Sequence, residues 1–421
     1  MGAALGHIRI CDFTGQLAGA GATKFLAAFG AQVIRIEDPS NHGRWDILRG
    51  APPFKDARRG MEFGAGFNNH NVNKLGITLN LKTAKPKELL AELVKISDVV
   101  SENFASGVLE RMGFGYGRLR ELREDIIYVS NCGFGQTGPY GTFKSWGPIA
   151  QAISGMTFQS ALPDQQPAGW GFSYLDHTGG YFMGMAILAA LYHRARTGEG
   201  QWVDVSCTEA GASLNGPAVL DWSVNGRPLR RDGHPNSNRS ASPAMAPHGI
   251  YPTAAEPAGA DGFGESDNWV AISCRSDLEW DSLATEISEP WASAEHYRTL
   301  AGRLAAQDEL DRELGRFTQT RGRFEFAATL RGVGIPAAAV TRPVERIDED
   351  QHTEGWGLWP TVNHAAMGDV RVDGLGLHFE HDDWVIDRGG PVLGQHNDEV
   401  LGGILGLSAT EIDDLRSEGV I

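Results

Sequence analysis

Short apolar runs and helical stripes alternate along the first third of the chain. His7–Phe13 (HIRICDF), Gln32–Glu37 (QVIRIE), Ile77–Leu81, Asp98–Glu102 and Ile126–Ser130 have the length and β-branched content of strands. Ala22–Phe29 reads as a helix, and so does Lys85–Ser97, with Leu89, Leu90, Leu93, Val94 and Ile96 on one stripe. A short helix is expected from Val108 to Met112, and another closes at Glu121–Glu124. This strand–helix–strand order predicts parallel pairing with right-handed crossovers, an α/β fold. The longest helical run, Tyr181–Tyr192, closes on His193, Arg194 and Arg196, with Gly198 and Gly200 as stop signals. Gln201–Val205 follows as a strand, and a Ser/Gly/Ala-rich helix runs on to about Asp221.

The pattern then changes. Asn225–Pro247 is polar and turn-rich, as expected of a linker or an active-site loop. Beyond it, Gly249–Pro252 and Trp269–Ser273 read as strands flanking a Gly/Ala insertion. Leu278–Glu286, Ala292–Leu304, Glu309–Phe317 and Arg323–Arg331 read as helices. We expect a smaller α+β domain over residues 225–335. From Ile335 a Pro-containing strand leads to a polar connector, then Val370–Leu377, Pro391–Leu393 and a pair of C-terminal helices.

Composition narrows the function classes. At 421 residues, length alone suggests two or three domains. With 41% hydrophobic and 21% charged residues the chain reads as globular, and a net charge of -16 argues against nucleic acid as a general partner. Cys11, Cys132, Cys207 and Cys274 have no pairable or metal-ligand spacing, and read as small buried residues in a reducing compartment. Among the 13 histidines only His378 and His381 stand at H-x-x-H spacing and none at H-x-x-x-H, and no metal is expected. The N-terminus shows no secretory pattern, Gly6 breaks the myristoylation pattern, and no apolar run reaches the ~20 residues of a membrane helix. The expected location is the cytoplasm, without a membrane partner.

Two features could carry chemistry. Gly133, Gly135 and Gly138 form G-x-G-x-x-G directly after a strand, but Pro139 and a loop-like stretch to Gly147 follow where a dinucleotide site needs a helix. A nicotinamide oxidoreductase therefore rests on one motif out of context. The second feature is Asp176, just ahead of Thr178-Gly179-Gly180 and the long apolar helix. From spacing alone it is either a helix cap or a carboxylate nucleophile.

Seven stretches taken together resemble the class III coenzyme A transferases (CaiB/BaiF type), the family of formyl-CoA, carnitine-CoA and related acyl-CoA transferases. They are CDFTGQLAG, GAQVIRIE, NKLGITLNLK, SDVVSENFASGVLERMGFGY, GFGQTGPYGTFKSWGPIAQAISGM, LDHTGGYFMGMAILAALYHRARTGEGQWVDVS and LGQHNDEVL, in the family's order over nearly the whole chain. The resemblance implies a Rossmann-like large domain built from both chain ends, residues 1–224 and 336–421, around the inserted small domain. It also implies an interlocked homodimer, with a heteromer containing a paralogue as the other possibility. The implied reaction moves coenzyme A between an acyl-CoA and an organic carboxylic acid through an aspartyl anhydride and an aspartyl-CoA thioester. Asp176 matches the family nucleophile. Coenzyme A enters as substrate, with no tightly bound cofactor.

Positions matching the family's CoA contacts are Leu17, Ala18, Leu79, Asn80, Leu81, Lys82, Asn103, Phe104, Ala105, Arg111 and Lys144, with Arg111 and Lys144 the candidates for phosphate pairing. There are two departures. Asp38 stands where the formyl-CoA enzyme has an arginine, which leaves Arg35 or Arg44 as replacements. Ser240-Ala241-Ser242-Pro243 replaces a run of glycines, which points from formate or oxalate toward a bulkier acid. Trp146, Trp170, Phe172 and Tyr174 suggest a pocket tolerant of apolar or aromatic acyl groups. An α-methylacyl-CoA racemase of the same superfamily would need a histidine where Ser145-Trp146-Gly147-Pro148 stands; His177 reads as a neighbour of Asp176 only. A non-catalytic subunit would be free to lose Asp176, which this chain keeps. His396 reads as a structural loop residue.

Overall fold

A computed structural model describes residues 3–161, 165–228, 237–240, 243–259, 262 and 265–421. The chain divides into two compact units, one formed by Met1–Thr157, Gly169–Val219 and Gly357–Ile421, the other by Phe158–Ala168 and Leu220–Trp356.

In chain order the first unit opens with β1 (Arg9–Asp12), α1 (Ala18–Ala28), β2 (Gln32–Glu37), α2 (Ala65–His70), β3 (Leu75–Thr78), α3 (Ala84–Lys95) and β4 (Val99–Glu102). It continues through α4 (Val108–Arg111), α5 (Tyr116–Leu122), β5 (Ile127–Cys132), α6 (Gly147–Ile153), α7 (Tyr174–Thr197), β6 (Trp202–Ser206) and α8 (Cys207–Leu214), followed by α9 (Gly216–Asn225). All six strands pair in parallel, in the order β3-β2-β1-β4-β5-β6. This doubly wound order reverses direction between β1 and β4, and ligands bind such sheets at the carboxyl ends of the strands flanking that reversal. The fold is the expected mixed α/β one. Helices cover both faces: Leu90, Leu93, Val94 and Leu119 pack one side, and Leu26, Met183, Ile187 and Leu191 the other.

Helix α7 differs from its sequence expectation. It begins at Tyr174, not Tyr181, and Gly179 and Gly180 are packing positions inside it. A Cβ on Gly180 would stand 2.6 Å from the carbonyl oxygen of Ala18, and one on Gly179 would stand 2.5 Å from Cys207 Sγ. Asp176 therefore lies inside the first turn, and the N-cap position belongs to Ser173, whose φ is 52°. The simple capping reading of Asp176 is corrected on this point. The G-x-G-x-x-G stretch opens no helix; the chain stays irregular until Gly147.

The second unit holds β7 (His248–Pro252), β8 (Trp269–Ser273), α10 (Asp277–Ile287), α11 (Leu300–Ala305), α12 (Gln307–Thr318), α13 (Arg323–Gly332), β9 (Ala337–Ala339) and α14 (Gln351–Trp356). The three strands form an antiparallel sheet, packed with helices over Trp280, Leu283, Leu310, Leu314 and Leu330. The single helix expected over Ala292–Leu304 is broken into two 3₁₀ turns and α11, which restarts at Thr299, whose side chain accepts from Gly302 N–H. Ala241 and Ser242 of the expected selectivity loop lie outside the described residues.

The first unit closes with β10 (Thr361–His364), β11 (Gly368–Arg371) and α15 (Ala409–Ser417). Between β11 and α15 the chain runs along the free edge of β3. Gly76 N–H donates to His396 Nδ1 at 2.9 Å, His396 N–H donates to the Gly76 carbonyl at 2.9 Å, and Thr78 N–H donates to Asn397 Oδ1 at 2.9 Å. His396 serves as an edge clamp.

Candidate active site

The site is built on the turn after β1. Asp12, buried at the strand end, accepts from Thr14 N–H at 3.0 Å, Ser101 Oγ at 2.9 Å and Thr23 Oγ1 at 2.9 Å. Below the turn, the Arg35 guanidinium is fully buried; it donates to the Thr14 carbonyl and, at 2.7 Å, to Asp46 Oδ2. The same Asp46 oxygen accepts Gln16 N–H at 3.1 Å, which holds Gln16 at a left-handed φ of 56°. Asn103, at the end of β4, brackets Gly15: it accepts Gly15 N–H at 2.7 Å and donates to the Gly15 carbonyl at 2.9 Å. Buried ion pairs thus fix the turn at the point where the strand order reverses.

A cleft of about 350 Å³ opens above this turn. The turn contributes Leu17 and Ala18; the end of β4 contributes Asn103, Phe104 and Ala105. The loop before α6 adds Lys144 and Trp146, the start of α6 adds Gly147, and α7 adds Asp176. The Asp176 carboxyl is raised above the ordinary aspartate value, first by burial, while the Ser173 hydroxyl, His177 and the Gly147 N–H pull the other way. Gly147 lies so close that a Cβ there would stand 2.5 Å from Asp176 Oδ2, so only glycine lets the carboxylate rest against this backbone. Gly147 is the first residue of α6, where backbone N–H groups have no partner within the helix.

Other groups in the cleft are poor nucleophiles. Burial pushes the Cys207 thiol up to about 12, with Asp176 adding to it, and the Cys132 thiol up to about 11, so both stay protonated near neutral pH. Among the described residues no histidine lines the cleft. His177 faces away, 5.4 Å from His70 between ring centroids, on a separate small cavity with Lys24 and Asp373. His70 is lowered to about 4, chiefly by burial.

A second cavity of about 240 Å³ adjoins the first, and Trp45 and Phe104 line both. Its walls are largely apolar, with Phe13, Ile36, Leu79, Leu81 and Met112, and its rim carries Asp38, Asn41 and Lys82. Beneath Phe104, Glu102 is buried and accepts from Phe104 N–H at 2.6 Å, Tyr128 Oη at 3.0 Å and Gln136 Nε2 at 3.2 Å. Burial still raises its carboxyl to about 7.

Of the residues matched in sequence, Leu17, Ala18, Asn103, Phe104, Ala105, Lys144 and Asp176 come together in the cleft, and Leu79, Leu81 and Lys82 in the slot. Asn80 and Arg111 line neither: Asn80 Nδ2 donates to the Gly419 carbonyl at 3.2 Å, and Arg111, on the exposed side of α4, donates to the Ser106 carbonyl at 3.3 Å. Arg35 cannot replace the arginine missing at Asp38, since its guanidinium is consumed by buried carboxylates. Arg44 is exposed and lines neither cavity. Of the four aromatic residues expected around the acyl group, Trp146 lines the cleft, whereas Trp170, Phe172 and Tyr174 do not. Sequence reading missed Gln16, Trp45 and Gly147 as lining residues; the glycine carried no signal, and Trp45 stood out only as an aromatic in a polar loop.

Comparison with known proteins gives this geometry its family. The sequence profile of CoA-transferase family III matches residues 5–397. A succinyl-CoA–D-citramalate CoA-transferase of Chloroflexus aurantiacus is 29% identical over 99% of this chain and 98% of its own length. A formyl-CoA:oxalate CoA-transferase of Streptomyces coelicolor is 32% identical, with 99% of each chain aligned. The crystal structure of a CaiB/BaiF family protein from Brucella suis superimposes with a TM-score of 0.81 at 25% identity, over 96% of this chain and 100% of that one. With this fold and these relatives along its whole length, the chain belongs to CoA-transferase family III and is an enzyme that transfers coenzyme A.

Proposed function

We propose that the enzyme transfers coenzyme A from an acyl-CoA to an organic carboxylate through covalent intermediates on Asp176. The observation that carries this reading is the Asp176 carboxyl in the first turn of α7, facing a cleft whose thiols stay protonated and lying against the Gly147 N–H. An Asp176 oxygen attacks the thioester carbonyl; the C–S bond breaks, leaving an aspartyl–acyl anhydride and CoA thiolate. The thiolate attacks the aspartyl carbonyl, forming an aspartyl-CoA thioester and releasing the donor acid. The acceptor carboxylate attacks that thioester, giving a second anhydride and CoA thiolate again. Attack of the thiolate on the acceptor's acyl carbon releases the new acyl-CoA and restores Asp176, with no net proton change. The Gly147 N–H and the N-terminal end of α7 are suited to hold the oxyanion of each tetrahedral intermediate.

The apolar slot with Lys82 on its rim suits the adenine end of coenzyme A, and Lys144 suits an anionic group in the cleft. Because the relatives above are named for succinyl-CoA, citramalate, formyl-CoA and oxalate, we place the acids among small mono- and dicarboxylates, with the exposed Trp146 favouring one bulkier than formate. The carboxylate without a histidine partner in the cleft weighs against racemisation, which needs two opposed proton-transfer groups. The exposed apolar stripe of Tyr181, Met185 and Tyr192 on α7 supports assembly with a second copy, as the family resemblance implies.

Brief incubation with a panel of acyl-CoAs, followed by hydroxylamine trapping and peptide mass spectrometry, tests the mechanism. A hydroxamate or CoA adduct on Asp176 is expected in the wild type and absent from Asp176→Ala. Turnover that survives Asp176→Ala, or exchange of the acyl α-hydrogen without any adduct, overturns it.

A further inference from the structure

The glycines of the G-x-G-x-x-G stretch shape a closed loop rather than a helix start. Gly135 and Gly138 sit at left-handed φ angles of 78° and 84°, where glycine carries no steric cost. The ends of the loop touch: a Cβ on Gly133 would collide with Ser145 Oγ. Phe134, Tyr140 and Phe143 pack on one another, with ring centroids 5.1 to 6.0 Å apart. Residues 133–145 thus form an Ω-loop, a compact body held by its own side chains. One end of that body puts Phe143, Lys144 and Ser145 on the wall of the Asp176 cleft.

Gln136 fastens this body to the strand ends. Its N–H donates to both Asp204 oxygens at 2.9 Å, and its carbonyl accepts from Ser106 Oγ at 3.1 Å. Its side chain reaches across to the segment after β4. There Oε1 accepts from Gly107 N–H at 3.0 Å, and Nε2 donates to Glu102 Oε1 at 3.2 Å. Because the Gly107 N–H can only donate, the amide has one orientation and Nε2 has to meet the carboxyl. Ala105 and Ser106, on the segment so gripped, line the cleft from the other side. Gln136 itself lines neither cavity.

We infer that Gln136 is a positioning residue, the latch that seats the 133–145 loop against the end of β4 and so fixes the width of the cleft. The inference rests on the reading of the Asp176 cleft as the coenzyme A site. Two side-chain hydrogen bonds, each worth about fivefold, make the seated loop roughly 25-fold more favoured than it is without them. Gln136→Met keeps the length of the side chain and both backbone ties but neither of these bonds. A charge probes the same contact. The titratable and charged groups around it are Tyr128 and Cys132 on β5, Asp204 on β6, Tyr116 on α5 and Arg111 on α4. In Gln136→Glu a carboxyl meets that of Glu102, which burial already raises to about 7. With one proton shared between them the pair still closes the latch. With both ionised the two repel, and Asp204 adds to the repulsion.

Tyr140 and Phe143 are exposed, so chymotrypsin reads the seating of the loop. Cleavage of the native protein after these two residues is followed by peptide mass spectrometry, with and without saturating coenzyme A. Without ligand, Gln136→Met is expected to be cut about 10- to 25-fold faster than wild type. Gln136→Glu should match wild type at about pH 6 and approach Gln136→Met at about pH 9, each rate divided by that of wild type at the same pH. Coenzyme A is expected to slow the cuts in all three proteins, since it selects the seated loop. A general loss of stability would reproduce neither the pH dependence nor the protection. A ratio under about threefold for Gln136→Met, or a Gln136→Glu ratio that stays constant from pH 6 to pH 9, overturns the inference. Ligand-free rates that follow both substitutions, with no protection by coenzyme A, overturn the reading of the cleft instead, and with it the part of the latch in binding.

Discussion

Gly147→Ala is the smallest change that reaches the proposed chemistry. Its methyl group would lie 2.5 Å from Asp176 Oδ2 and 2.9 Å from Cγ, well inside van der Waals contact. Either the carboxylate or the start of α6 must shift by roughly 1 Å, and a misplacement of that size at a reacting group costs on the order of 100-fold in rate. If α6 is the part that moves, the Gly147 N–H leaves the oxyanion position, and loss of one such donor costs about 10²–10³ in kcat. Both routes lead to the same expectation: kcat/KM falls by about two orders of magnitude, and formation of the Asp176 adduct slows in parallel. Affinity for free coenzyme A should stay within about threefold, because the apolar slot lies on the far side of Trp45 and Phe104 and is untouched. Rapid-quench labelling of Asp176 with acyl-CoA, beside calorimetric titration of coenzyme A, separates the two quantities. A folded Gly147→Ala enzyme with a labelling rate within threefold of wild type would refute the role given to this contact.

Two further outcomes follow from buried charge. Glu102 has its carboxyl raised from the usual 4.5 to about 7, so the folded chain holds a proton there that the unfolded chain has released. That stabilisation is complete below about 4.5 and is lost as pH rises toward 7, on the order of 3 kcal/mol at most; the fall in melting temperature across this window should be shallower in Glu102→Gln, and an unchanged slope counts against the shift. Removing the Arg35 charge with Arg35→Met leaves Asp46 buried without its cation, while Glu37 keeps Arg49, and denaturant unfolding should show a loss of about 3–5 kcal/mol; a loss below about 1 kcal/mol would mean that the network under the first turn is not what holds it.

The parts of the fold that could be read from the sequence are those set by local burial. QVIRIE and IIYVS are buried on both faces, and their Ile/Val-rich runs gave strands within a residue or two of the observed ones. The start of α7 was not legible, because Gly179 and Gly180 look like a break until Ala18 and Cys207 are seen packed against them. Arg35 shows the same limit for charge. Nothing in its neighbourhood along the chain distinguishes a free arginine from one spent on Asp46 eleven positions away. Asp176 was visible as a carboxylate near a helix start, but its contact with Gly147 joins two segments that no periodicity connects. Leu79, Leu81 and Lys82 came from resemblance, and the slot that unites them with Phe13, Ile36 and Met112 exists only in three dimensions.

The clamp on β3 has a consequence for how this chain comes into being on the ribosome. Gly76 meets His396 across 320 residues of sequence, and everything in the second unit is synthesised between them. Until the residues around His396 emerge, the nascent sheet presents β3 as an open edge with unpaired N–H and carbonyl groups, the kind of surface that recruits foreign strands. Translation pauses within residues 220–356 would prolong that exposure. Yield in cells should therefore depend on chaperone supply during elongation, even for a chain whose finished form is stable.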